Sequence, residues 1–130
     1  MKLKGKSWKA LLGIIGGVIA VSCFALLDSP TKSDRTYNII FDLSREMRRF
    51  YISSHRLPTN LSEVNSSSYS RWGAKPLSDI WGNPIIYTIT GSNTFVLKSF
   101  GPGGKPGKGN MVFTFDVTNP ASGRRLETTN

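Results

Sequence analysis

The hydrophobic and polar positions divide this chain into a long apolar run, a helical pattern and a strand pattern. Residues 10–27 hold eighteen residues without a charge, directly behind four lysines among residues 1–9. A helix of that length spans about 27 Å, close to the hydrocarbon thickness of a bilayer. We therefore expect a transmembrane helix over 10–27. Because basic residues stay on the cytoplasmic side, they also set its orientation. Its basic segment, residues 1–9, would lie in the cytoplasm, and everything after a linker, residues 28–33, outside the cytosol.

Two other interpretations of the apolar run stay open beside the favoured uncleaved anchor. A cleaved secretory signal is one, although no A-x-A pattern follows the run and Gly13, Gly16 and Gly17 shorten its apolar core. A lipoprotein signal is the other, with small residues preceding Cys23 as the candidate for lipidation. Apolar residues continue after Cys23, where a polar tether would be expected.

The second region predicts an amphipathic helix from Asp34 to Ser54. Apolar residues recur there at intervals of three and four positions, which is the period of a helix with one buried face: Tyr37, Ile40, Leu43, Met47, Phe50. Proline limits the helix at both ends, at Pro30 and Pro58.

The third region changes to the period of strands. Two β-branched apolar runs, over 85–90 and 94–99, flank a Gly-Ser-Asn turn and predict a hairpin. A third run, over 111–117, alternates between apolar and polar residues and predicts another strand. A Gly- and Pro-rich loop over 101–110 precedes this third strand. We expect a short turn over 59–64, a polar loop over 66–70 and a frayed polar tail over 119–130. The pattern predicts an α+β domain over 34–118, with the amphipathic helix packed on a small, three-stranded antiparallel β-sheet.

Composition limits the chemistry of this domain. Cys23 is the only cysteine and His55 the only histidine, so the exported part has no thiol for a disulfide or a zinc site. No catalytic grouping is recognisable, and we predict that the chain is not an enzyme and has no catalytic residues. The formal net charge is +9, yet no nucleic-acid-binding motif is present, so we expect no nucleic-acid partner.

A turn motif precedes the first strand, where residues 77–84 read Leu-Ser-Asp-Ile-Trp-Gly-Asn-Pro. Gly82 allows a backbone turn, and Pro84 fixes φ at a strand entrance. Trp81 supplies an apolar body for the end of a small core, and Asp79 can accept hydrogen bonds from turn N–H groups. With Asn83, these residues form a motif whose roles are all structural.

Two stretches resemble the protein-G (major pseudopilin) family of type II secretion systems, over about residues 34–117. One runs from Phe50-Tyr51 to Pro58-Thr59-Asn60-Leu61; the other joins Asp79–Pro84, a strand with Tyr87, and Ser99-Phe-Gly-Pro-Gly-Gly. The resemblance implies a pseudopilin-like fold and a non-enzymatic structural or assembly role in a bacterial secretion or pilus-like system. It also implies a single-pass protein of the bacterial inner membrane with a periplasmic domain, whose partners are pilin-like subunits, itself among them.

The N-terminus departs from that family. Gly5 is followed by Lys6 rather than by an aromatic residue, and Ala10 stands where the family carries its assembly glutamate. The processing motif is missing, so the resemblance does not extend to ordinary polymerisation into a pseudopilus.

The loop over 101–110 also departs from the family, whose members hold calcium there. Gly103 or Gly104 stands where the family carries an aspartate, and the loop contributes Lys105 and Lys108 instead, which opposes a divalent cation that prefers several carboxylates. Four oxygen donors remain nearby: Asp79, Ser99, Asn110, Asp116. We therefore predict no cofactor, disfavour calcium, and consider a lysine amine bridging Asp79 or Asp116 as the replacement for the ion.

The two candidate functions would use different surfaces of the domain. For an assembly component we expect contacts through the helix over 34–54 and the loop over 101–110. The alternative is an envelope lipoprotein or anchored binding module that recognises an acidic glycan or lipid headgroups through a set of cations: Arg45, Arg48, Arg49, Lys105, Lys108.

Overall fold

The computed structural model describes residues 30–64, 66 and 68–126. Within these residues two α-helices and four strands follow one another: α1 (Lys32–Ser54), α2 (Ser68–Trp72), β1 (Ile86–Ile89), β2 (Thr94–Ser99), β3 (Met111–Asp116), β4 (Arg124–Leu126). The α+β class and the small antiparallel sheet are confirmed. Neither helix in this part of the chain is long and apolar enough to cross a membrane. The span predicted over 10–27, with Cys23, lies outside the described residues.

Helix α1 confirms the predicted amphipathic helix and begins two residues before Asp34. Its buried side is lined by five residues: Thr36, Ile39, Ile40, Leu43, Met47. The predicted stripe was wrong at Tyr37, which stays 43% exposed. The helix ends at Ser54, and the next residue, His55, has a left-handed φ of 54° while its N–H donates to the Tyr51 carbonyl at 2.8 Å.

The sheet is an antiparallel meander in which each strand pairs with its successor, in the order β1-β2-β3-β4. The predicted hairpin is confirmed, since the Thr90 N–H donates to the Thr94 carbonyl at 3.0 Å across the Gly-Ser-Asn turn. The third predicted strand ends at Asp116, one residue early. The expected frayed tail is wrong for Arg124–Leu126, which adds a fourth strand to β3.

Helix α1 covers one face of the sheet and encloses an aromatic core. The ring centroids of Phe41 lie 5.5 Å from Phe113 and 5.4 Å from Phe115, edge to face, and Phe95 stacks on Phe115 at 5.3 Å. Phe95 and Phe113 are fully buried. Burying one such side chain contributes about 2 to 3 kcal/mol, so these contacts hold the helix and the sheet together.

The segment between α1 and β1 folds back over the end of the helix. The predicted turn is confirmed as a 3₁₀ turn over Leu61–Glu63. The Glu63 carboxylate accepts from the Thr59 N–H at 2.8 Å and from Arg56 at 2.9 Å. The Thr59 hydroxyl and N–H with Arg56 lower the pKa of Glu63 from 4.5 to about 2.

Part of the predicted polar loop is helical instead. Residues Ser68–Trp72 form α2, with Ser68 and Tyr69 buried. Farther along, the Tyr87 hydroxyl donates to the Pro58 carbonyl at 2.8 Å and links β1 to the segment that follows α1. Burial, with Glu63 nearby, raises the pKa of Tyr87 to about 12, so this donor keeps its proton at any physiological pH.

Candidate functional site: the turn and the glycine-rich loop

Asp79 organises the turn that precedes β1, which we define as the Asp79 turn, residues 79–83. Its side chain is 1% exposed. One carboxylate oxygen accepts from the N–H groups of Trp81 at 3.0 Å and Asn83 at 2.9 Å, and the other from the Ser99 hydroxyl at 2.6 Å. The expected bonds from turn N–H groups to Asp79 are confirmed. The buried carboxylate is therefore engaged in holding the turn.

The Asp79 turn is bonded to the glycine-rich loop, residues 101–110. The Gly101 N–H donates to the Ser99 hydroxyl at 3.1 Å, and the Asn83 side-chain amide donates to the Gly101 carbonyl at 2.7 Å. Gly101 has φ +66°, and a Cβ there would lie 2.5 Å from the Gly109 carbonyl oxygen. Only glycine fits this approach of two backbone segments, so the turn and the loop form one unit.

The other motif residues complete the turn. Gly82 has φ +86°, which confirms the predicted need for glycine. Trp81 is partly buried against the core. Pro84 precedes β1 and forms an isolated antiparallel bridge with Ser78. All five motif residues thus lie in or beside one turn, at the end of the sheet where β2 leaves and β3 enters.

The four oxygen donors considered for calcium do not converge. Ser99 pairs with Met111 and Thr94 pairs with Asp116, so Asp116 lies at the opposite end of β3, about 17 Å away at 3.4 Å per residue. With its amide turned so that nitrogen faces carbonyls, Asn110 donates to Gly107 at 3.1 Å and Phe100 at 3.2 Å. Among residues 30–64, 66 and 68–126, no three His, Cys, Asp or Glu side chains could together hold a metal ion.

The lysine bridge considered in place of calcium is wrong for the described residues. Asp116 accepts from the Thr118 N–H at 2.8 Å and the Thr118 hydroxyl at 2.6 Å, and these bonds lower its pKa. Asp79 is engaged as above, while Lys105 and Lys108 are exposed on the loop. The loop is held by its own turns and by Asn83.

The five cations of the binding-module alternative do not form one surface. Arg45 and Arg48 line a hollow of about 200 Å³ beside Asp116 and Asn119, beyond the end of β3. Lys105 and Lys108 precede the start of that strand, and β3 separates the two groups by about 17 Å. The predicted common patch is therefore not assembled in this part of the chain.

Two arginines of α1 make ion pairs on their own helix. Arg45 lies 2.6 Å from Asp42 and Arg49 lies 2.6 Å from Glu46. Asp42 also accepts from the Trp72 indole N–H at 3.1 Å, with Arg71 at 3.5 Å. Exposed pairs of this kind contribute little stability, but Asp42 links α1 to α2. The sequence pattern did not predict this link, because Trp72 lies thirty residues from Asp42.

Comparison with known proteins returned no matching family model, no matching curated protein and no matching solved structure.

Proposed function

We propose that this chain is a membrane-anchored, non-enzymatic structural or assembly component of a type II secretion or pilus-like system, with a pseudopilin-like domain. Residues 10–27 would anchor it in the bacterial inner membrane, with the N-terminus in the cytoplasm and the domain in the periplasm. Other pilin-like subunits would be its partners.

One observation carries the proposal. The residues on which the pseudopilin resemblance rests, Asp79–Pro84 and Ser99–Gly104, are joined by hydrogen bonds into a single unit. They sit at one end of a small antiparallel sheet covered by one 23-residue helix. That combination of motif and architecture supports a pilin-like domain more than a binding module built on the separated cations.

A topology assay tests the location. Alkaline phosphatase fused after Asn130 should be active and a fluorescent protein fused there dark, because the first folds only outside the cytosol and the second mainly within it. Deleting residues 10–27 should reverse both signals. A fluorescent full-length fusion with inactive phosphatase would refute the proposal. The intact mass of the extracted chain, compared with a Cys23→Ala variant, separates an uncut anchor from a lipidated or cleaved one.

In-cell photocrosslinking tests the assembly role. A photoreactive residue at Arg49, exposed on α1, should capture pilin-like or secretion-system subunits, or the chain itself. The same residue at Ser92, exposed in the β1–β2 turn, serves as the matched control. Recovery of none of these partners from Arg49 would contradict the assembly role even if the topology proved correct.

A further inference from the structure

We propose that the open edge of β1 pairs antiparallel with β1 of a second copy of this chain, which joins two sheets across a twofold axis. Among the described residues β1 pairs with β2 alone, so its other edge faces solvent. Three of the five large apolar side chains exposed in this part of the chain lie there: Leu77, Ile86, Ile89.

The backbone alternation shows which groups this edge offers. The Thr90 N–H donates to Thr94 of β2, whereas the Ile85 N–H points the other way and donates to the Leu77 carbonyl at 3.0 Å. Successive residues of a strand alternate in direction. The N–H and C=O groups of Tyr87 and Ile89 therefore point to the open edge, ready for another strand.

Strand β1 lacks two of the features that prevent pairing at a sheet edge. Its sequence, Ile-Tyr-Thr-Ile, holds neither a charge nor a proline, and both are common means of preventing edge pairing. An uncharged edge also lets two copies of a basic domain approach at this point.

Only one antiparallel register uses every outward group. Pairing Tyr87 with its own copy places Ile89 opposite Ile85, whose N–H is already bonded to Leu77. Pairing Ile89 with its own copy places Tyr87 opposite Gly91, whose N–H is bonded to Thr94 at 3.1 Å. Pairing Tyr87 with Ile89 of the second copy forms four N–H···O=C bonds and puts Thr88 on the axis.

The same register is complementary in its side chains. An open hollow of about 290 Å³ lies beside Tyr87, with Leu61 and Leu77 in its wall. Ile89 of the second copy would stand opposite Tyr87, on the same face of the joined sheet, and cover this hollow. Each chain carries both the apolar side chain and the hollow, as an isologous interface requires. This self-complementarity favours a second copy over another protein.

A single engineered cysteine tests the register. In a full-length Cys23→Ser background, Thr88→Cys would face its own copy across the axis as a non-hydrogen-bonded pair, with Cα atoms about 4.5 Å apart, within disulfide reach. Thr90→Cys, on the same face, is the matched control, since its copies would lie about 13 Å apart along the strands. Mild oxidation should give at least five times more disulfide dimer with Thr88→Cys.

A charge at the edge tests the surface itself. Ile89→Lys should lower the Thr88→Cys dimer yield at least tenfold, while Ile52→Lys, at a side chain 63% exposed on α1, should leave it unchanged. Circular dichroism of each variant shows that the fold is kept. Equal dimer yields from both cysteines, no dimer, or a disulfide to a different protein would each overturn the proposal. Such a failure would leave the topology and the α1 contacts untouched, so it is distinguishable from failure of the proposed function.

Discussion

Replacing Asp79 by alanine is the sharpest perturbation of the turn and loop unit. The change removes the acceptor of three hydrogen bonds, from the Trp81 N–H, the Asn83 N–H and the Ser99 hydroxyl. A buried donor left without an acceptor costs about 1 to 3 kcal/mol. The two N–H groups are only partly buried and count at the lower end of that range. We expect Asp79→Ala to lower the free energy of unfolding by about 3 to 4 kcal/mol in total.

Urea unfolding of the purified full chain, followed by Trp fluorescence, measures this loss. With a slope of about 1.5 kcal/mol per molar urea, the midpoint should fall by about 2 to 3 M. Asp79→Asn should lose about half as much, because its amide oxygen can still accept from the turn while its NH₂ group cannot accept from Ser99. Ser78→Ala, whose hydroxyl makes only an exposed 3.4 Å contact with the Pro76 carbonyl, should change stability by less than about 0.5 kcal/mol.

A loss below about 1 kcal/mol for Asp79→Ala, or one no larger than that of Ser78→Ala, would refute this role of Asp79. Either result would mean that the loop and β1 are held without the Asp79 turn. A double-mutant cycle with Ser99→Ala adds an independent check, since two residues in contact should couple by at least about 0.5 kcal/mol.

Two further predictions concern the loop and the α1 connection. Gly101→Ala should lose at least about 2 kcal/mol of stability in the same urea assay, because the alanine would combine a left-handed φ with a backbone clash. Gly103→Ala is the control and should lose less than about 1 kcal/mol, because the space around Gly103 is open. Equal losses from the two variants would contradict this role of Gly101. Glu63→Gln should lower the melting temperature at pH 6 but not near pH 2, because a pKa lowered from 4.5 to about 2 contributes stability that is lost as the pH falls through that interval. A difference in melting temperature that stays constant from pH 6 to pH 2 would contradict the assigned bonds.

The elements that could be predicted from the sequence are those whose pattern is local. Apolar residues at helical spacing predict α1 to its last residue, Ser54, because one face of the helix alone meets the sheet. The hairpin follows from β-branched runs on both sides of a Gly-Ser-Asn turn. The Asp79 turn was predictable for the same reason, since the Trp81 and Asn83 N–H groups that donate to Asp79 lie within the same five residues; the bond from Ser99, twenty residues away, was not predicted.

The elements that were missed depend on distant partners. Strand β4 reads Arg-Arg-Leu, which has no strand pattern of its own and pairs only because the edge of β3 is present. Helix α2 is rich in serine and packs on α1, with Trp72 bonded to Asp42. The predicted donor set failed similarly, because residues near in sequence, Asn110 and Asp116, are placed at opposite ends of an extended strand.

The meander order of the sheet has a consequence for how the chain is made. Phe41 of α1 stacks on Tyr37 of its own helix, but its partners in the sheet are Phe113 and Phe115, which are synthesised some seventy residues later. Until β3 leaves the ribosome, the apolar face of the nascent helix has no sheet to pack on. A chain stalled on the ribosome before residue 111 would therefore expose this apolar face to solvent, and we expect chaperone binding to be greatest at that stage.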